Sequence, residues 1–101
     1  MNRIDFQQLA DVRIDEAMVL LAQGKYDGAY YLAGYAVECG LKACIARQFA
    51  ADVIPDKGFV NNIYKHEFKT LVGLAGLTAE LKTAQDRDPS FASSWAIVSQ
   101  W

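Results

Sequence analysis

Between Phe6 and Leu21 apolar residues return at steps of three and four, at Phe6, Ala10, Ile14, Ala17, Met18 and Leu21, while Asp11, Asp15, Glu16 and Gln23 fall at other angles. That period predicts an amphipathic helix with one face turned inward. Gly24, just past the last periodic residue, predicts a left-handed stop, and a connection as short as Lys25-Tyr26-Asp27 sends the next helix back antiparallel. The second helix is expected over Asp27 to Ala51. Between Gly28 and Ala46 its only charges are Glu38 and Lys42, the pattern of a central helix covered on most sides. A run of small residues, Ala33, Ala36, Gly40, Ala43 and Cys44, predicts close approach of a neighbouring helix. Gly40 in mid-helix costs about 1 kcal/mol relative to Ala, which such packing would justify.

The pattern breaks from Asp52 to Lys65, where Pro55-Asp56-Lys57-Gly58 reads as a turn and Asn61-Asn62 as a second irregular spot. Phe59, Val60, Ile63 and Tyr64 make this an expected packed loop. A third helix follows His66, carrying Phe68, Leu71, Val72, Leu74 and Ala75, and ends at Gly76. Thr78 is the expected N-cap of a short fourth helix, Ala79 to Arg87, and Asp88-Pro89 supplies an N-cap followed by Pro at the first helical position. Phe91, Trp95, Val98 and Trp101 then recur at helical spacing, an apolar stripe running to the last residue. A neighbouring molecule, or further chain in a longer natural domain, is expected to cover it. The sum is an all-α, up-and-down antiparallel bundle of four to five helices, one domain over residues 1–101, with the second helix central.

Composition narrows what such a bundle can do. With 52% hydrophobic and 22% charged residues the chain is of globular type, and a small domain with an apolar surface is readily covered by a second copy of itself, so a homodimer is expected. A net charge of −2 with scattered Lys and Arg leaves no basic stripe for nonspecific nucleic-acid binding. The densest group, Lys57, Lys65 and Lys69, is interrupted by Asp56 and Glu67. Cys39 and Cys44 sit on one helix, roughly 140° apart around its axis, and cannot pair with each other. One histidine and two such cysteines cannot close a zinc site, so no metal is expected. No Gly-rich phosphate loop, serine nucleophile elbow or paired-carboxylate motif appears, and no cofactor is expected. The uncharged stretch Gly28 to Val37 is too short to span a bilayer, and an early acid, Asp5, spoils any secretory core. A cytoplasmic protein with free thiols is expected.

Leu20-Leu21, then Gly24-Lys25-Tyr26-Asp27-Gly28-Ala29, then Ala36-Val37-Glu38 followed by Leu41-Lys42-Ala43, and after the loop His66-Glu67-Phe68 with Leu71, form a pattern of about a dozen positions. It resembles the HEPN domains of prokaryotes over about residues 9 to 75, with Phe68 standing where those domains usually carry Leu. The resemblance implies a bundle of four or five helices that commonly dimerises, and occurrence beside nucleotidyltransferase-family partners in toxin–antitoxin and defence systems. Many members are ribonucleases whose Arg and His lie four to six residues apart. Here the positions that would hold the Arg before His66 are Phe59, Val60 and Asn61; Arg47 is too far upstream and Arg87 lies after the histidine.

The candidate ligand-binding residues are Tyr35, Glu38, Lys42, Lys65 and His66. Glu38 and Lys42, acid first and four apart, are expected to form a helical ion pair, either an edge salt bridge worth about 0.3 to 0.5 kcal/mol or a polar spot in an apolar seam that sets dimer register or holds a phosphate. Tyr30, Tyr31 and Tyr35 suit packing or stacking on a base. His66 reads as a capping or packing residue, because a general base needs a partner within reach and the local sequence supplies none. Three functions are ranked in order. The first is a noncatalytic binding or regulatory module holding a nucleotide or RNA end; the second is a ribonuclease toxin completed beyond Trp101; the third is a structural dimerisation bundle.

Overall fold

The computed structural model describes residues 2–49 and 56–101. Among them the chain is all-helical, with six helices: α1 (Arg3–Ala22), α2 (Tyr26–Ala46), α3 (Lys57–Ile63), α4 (Phe68–Leu74), α5 (Thr78–Arg87) and α6 (Pro89–Val98). That exceeds the expected four to five because the loop between the two halves holds a helix of its own. Asp56, read as part of a turn, is the N-cap of α3 and accepts from the Phe59 amide at 3.2 Å. Phe59 and Ile63 pack on the core as expected, whereas Tyr64 is exposed. α2 ends at Ala46, short of the expected Ala51, in a turn through Arg47 and Gln48 whose amide side chain donates to the Leu74 carbonyl at 2.6 Å. Ala50 to Pro55, and with them part of the expected helix end and turn, lie outside the described residues.

Local signals account for the element ends. Asn2 and Asp5 form a reciprocal capping box at the start of α1, with amide-to-side-chain bonds of 2.9 and 3.1 Å. Gly24 and Gly76 both take positive φ, 75° and 73°. At each, the glycine amide bonds three residues back and the next amide five back, to Leu21 and Leu20 in one case and Gly73 and Val72 in the other. This double return satisfies carbonyls that a helix end would otherwise orphan, and only glycine enters it without strain. Thr78 is the first residue of α5 instead of its cap; Leu77 holds the cap position, without a side-chain bond. Asp88 caps α6 as expected, accepting from the Phe91 amide at 3.1 Å with Pro89 behind it.

α1 and α2 form an antiparallel hairpin, since Leu20 lies by Gly28, Arg13 over Tyr35, and Phe6 beside the end of α2 at Lys42. Beyond it, Leu41 and Ile45 of α2 meet Phe68, Leu71 and Val72 of α4 in the buried core, and Trp95, Val98 and Trp101 pack against that cluster. The C-terminal aromatic stripe is therefore largely covered within the molecule, contrary to expectation, by Phe68, whose ring stacks on Trp95 and Trp101 at 5.9 and 5.7 Å. Gly40 also departs from expectation: a Cβ there would meet nothing within 4 Å. The tight place on α2 is Gly34, where the Trp101 indole occupies the space a side chain would need. An indole, not a neighbouring backbone, selects the glycine.

The face of α1 turned inward differs from the one its period suggested. Phe6, Leu9, Ala10, Arg13, Ala17 and Leu20 face α2, while Ile14, Met18 and Leu21 are exposed. With a radius of gyration of 14.6 Å, against about 13 Å for a compact chain of this length, the molecule is elongated. α1, packed chiefly on α2, forms its outer edge.

Candidate functional site

Glu38 is the one buried charged residue in the described part of the protein, 3% exposed in the middle of α2. A carboxylate removed from water needs partners, and two reach it. Lys42, one turn on, approaches Oε2 at 3.9 Å, and the Nδ1–H of His66 donates to Oε1. The pair with Lys42 is thus not an edge bridge, because the acid is sealed within the fold. The His66 contact spans 28 residues of sequence and depends on α4 docking against α2. It supplies the partner that the local sequence withheld. His66 sits in the short segment between α3 and α4 with its side chain 70% exposed. A neutral ring that donates through Nδ1 keeps Nε2 as an acceptor.

His66 lies at the edge of an open cleft of about 610 Å³, lined also by Asp27, Tyr30, Tyr31, Tyr35 and Trp101. Tyr31 and Tyr35 stand one turn apart on α2, and Glu38 follows on the same side, so a single helix face carries the aromatic wall and the acid. Trp101 is held by its Nε1–H, which donates to the Tyr31 carbonyl at 2.8 Å, and its ring lies 5.8 Å from that of Tyr31. Tyr30 donates its hydroxyl to the Ile97 carbonyl at 2.9 Å. Arg13 reaches across from α1 to within 5.8 Å of the Tyr35 ring centre, a cation over an aromatic face, and is paired with Glu16.

Four of the five residues singled out from sequence are gathered here: Tyr35 and His66 line the cleft, and Glu38 and Lys42 lie behind His66. Lys65 is exposed, next to His66 in sequence, and forms no ion pair among the described residues. Asp27, Trp101 and Arg13 were not singled out as site residues. Arg13 carries no local signal, since its position over Tyr35 follows from the pairing of α1 with α2.

Burial raises the Cys39 thiol above its ordinary value of 9.0; the neighbouring charge of Glu38 adds to the rise, and Lys42 and Arg13 oppose it. A buried thiol kept protonated is a packing group, not a nucleophile. Cys39 and Cys44 are both free. Among the described residues no cluster of three or more His, Cys, Asp or Glu could hold a metal ion, and no helix is long and apolar enough to cross a membrane. No protein-family model matches this chain, and comparison with curated proteins and with solved structures finds none significantly similar to it.

Proposed function

We propose that this chain is a HEPN-like helical module that works by binding, without catalysis, and takes a nucleotide or the end of an RNA strand in the aromatic cleft. The observation that carries the reading is the buried Glu38, shared between Lys42 and His66 at the edge of a cleft walled by Tyr30, Tyr31, Tyr35 and Trp101. Exposed aromatic faces in a cleft of this size suit a planar base, each stacked base contributing about 1 to 3 kcal/mol. The exposed imidazole of His66 and the adjacent Lys65 supply polar contacts at the rim. The module acts as a homodimer in the cytoplasm, in a toxin–antitoxin or defence setting, and a nucleotidyltransferase-family protein is a second partner consistent with the HEPN resemblance.

Titrating the protein with adenosine monophosphate and with a short single-stranded RNA, followed by tryptophan fluorescence and by the His66 and tyrosine NMR signals, tests this. Binding in the micromolar to low millimolar range is expected. Tyr35→Ala should weaken it by roughly fivefold or more, from the loss of one stacking face. Absence of any response at millimolar ligand, or a response insensitive to Tyr35→Ala and Glu38→Gln, would overturn the reading.

One observation favours a ribonuclease instead. A histidine at the edge of an open cleft, oriented through Nδ1–H by a buried carboxylate, has the partner that a general base needs. Metal-independent RNA cleavage that His66→Ala abolishes would establish that reading and displace the noncatalytic one.

A further inference from the structure

A second cavity, of about 520 Å³, opens where the amino end of α1, the carboxyl end of α2 and α3 come together, and it shares no lining residue with the aromatic cleft. Cavities of this size hold small molecules. Its walls are mostly apolar: Phe6 of α1, Ile45 of α2, Phe49 just past the end of α2, and Ile63 of α3. An edge contact with Phe59, ring centres 5.5 Å apart, holds the Phe49 ring in place. Among these apolar groups stand two cations, Arg3 and Lys42, and no Asp or Glu among the described residues lines the cavity with them.

Charge narrows what such a cavity takes. The Lys42 side chain is 13% exposed, and its ammonium stands 3.9 Å from Oε2 of Glu38, beyond hydrogen-bond reach. Oε1 of the same acid is engaged by His66. An ammonium drawn this far from water has three donors to satisfy. Among the described residues no fully buried side-chain nitrogen or oxygen lacks a partner, so the free donors of Lys42 open on the cavity it lines. Arg3 is exposed and takes part in no ion pair among the described residues. The amino end of α1 and the carboxyl end of α2 carry opposite partial charges, which offset one another here. Two cations set against the single carboxylate of Glu38 therefore leave one positive charge. A monoanion neutralises it, whereas a phosphate monoester carries more negative charge than the site can match.

We infer that this cavity binds a monocarboxylate with an aliphatic or aromatic body, its charge met by Lys42 and Arg3 and its body laid against Phe6, Ile45, Phe49 and Ile63. The planar guanidinium of Arg3 suits a carboxylate through paired hydrogen bonds, and Lys42 adds a point charge. The nucleotide reading is not needed for this, because the two sites have separate walls.

Titration of the whole chain with octanoate, followed by calorimetry and by NMR of the isoleucine methyl groups, tests the inference. Octanoate is expected to bind in the micromolar to low millimolar range and to shift the Ile45 and Ile63 signals. Octanol, its uncharged counterpart, and octylamine, its cationic one, should bind roughly tenfold more weakly or worse. Arg3→Gln, at an exposed position, should weaken octanoate roughly fivefold or more while leaving octanol unchanged, and Arg3→Lys should keep much of the affinity. No response to octanoate at millimolar concentration overturns the site. Shifts confined to the tyrosine and Trp101 signals overturn its place in the fold. Equal affinity for octanoate and octanol, or an Arg3→Gln variant that binds octanoate as the wild type does, overturns the part given to charge, and tighter binding of octyl phosphate overturns the choice of a monoanion.

Discussion

Two glycines of α2 show how far residue type alone can mislead. Gly40 sits among small residues, where close helix packing is the natural reading, yet a Cβ there would meet nothing within 4 Å. Gly34 lies between Ala33 and Tyr35 with no mark of importance, and the Trp101 indole fills the space its side chain would take. The two therefore respond in opposite ways to the same change. Gly40→Ala should stabilise the protein by about 0.5 to 1 kcal/mol, because it removes backbone freedom from the unfolded chain without a clash. Gly34→Ala should destabilise it by about 1 to 3 kcal/mol, because Trp101 must leave its place. Urea denaturation of the two variants beside the wild type checks both signs; a stabilising Gly34→Ala would refute the account of Trp101.

Helix ends carry the clearest link between sequence and local structure. Gly24, Gly76 and the Asp88-Pro89 pair stand where the chain reverses or restarts, and each supplies the missing hydrogen bond or the unusual φ that the end demands. α6 has ten residues, too few to hold a helix by propensity alone, so its cap matters. Asp88→Ala should cost about 0.5 to 2 kcal/mol, and Asp88→Asn, which keeps the acceptor, far less. Thermal unfolding of both variants decides it, and equal losses would mean that the side-chain bond to the Phe91 amide is not what stabilises the start of α6. α3 was missed for a related reason: seven residues offer too little periodicity to register, and Asp56 beside Pro55 and Gly58 resembles a turn as much as a cap.

Across the whole molecule, the two halves of the chain are joined through Phe68. Its ring, 2% exposed, lies in the core with Leu41 and Ile45 of α2 and stacks on Trp95 and Trp101 from the C-terminal segment. Phe68→Ala should cost about 3 to 5 kcal/mol, a large share of the stability of a domain this size. Because Trp101 stacks on this ring and also lines the aromatic cleft, the same variant should also alter tryptophan fluorescence and loosen the cleft. A loss under 1 kcal/mol in chemical denaturation would show that the ring is not the central contact it is taken to be here.

The sequence by itself determined the helical class, most of the helix ends, the apolar character of α2, the core apolar residues of α4, and the pairing of Glu38 with Lys42. These follow from period, glycine, cap and four-residue spacing, which are all properties of neighbours in the chain. Tertiary structure alone decided that His66 bonds to Glu38 across 28 residues, that Arg13 covers Tyr35, and that Trp101 seats itself on Gly34. It also decided which side of α1 turned inward. Phe6, Ala10 and Ala17 belong to both candidate stripes of that helix, so period alone cannot choose between Leu9, Arg13 and Leu20 on one side and Ile14, Met18 and Leu21 on the other. The choice falls to the partner surface of α2, which no local pattern in α1 encodes.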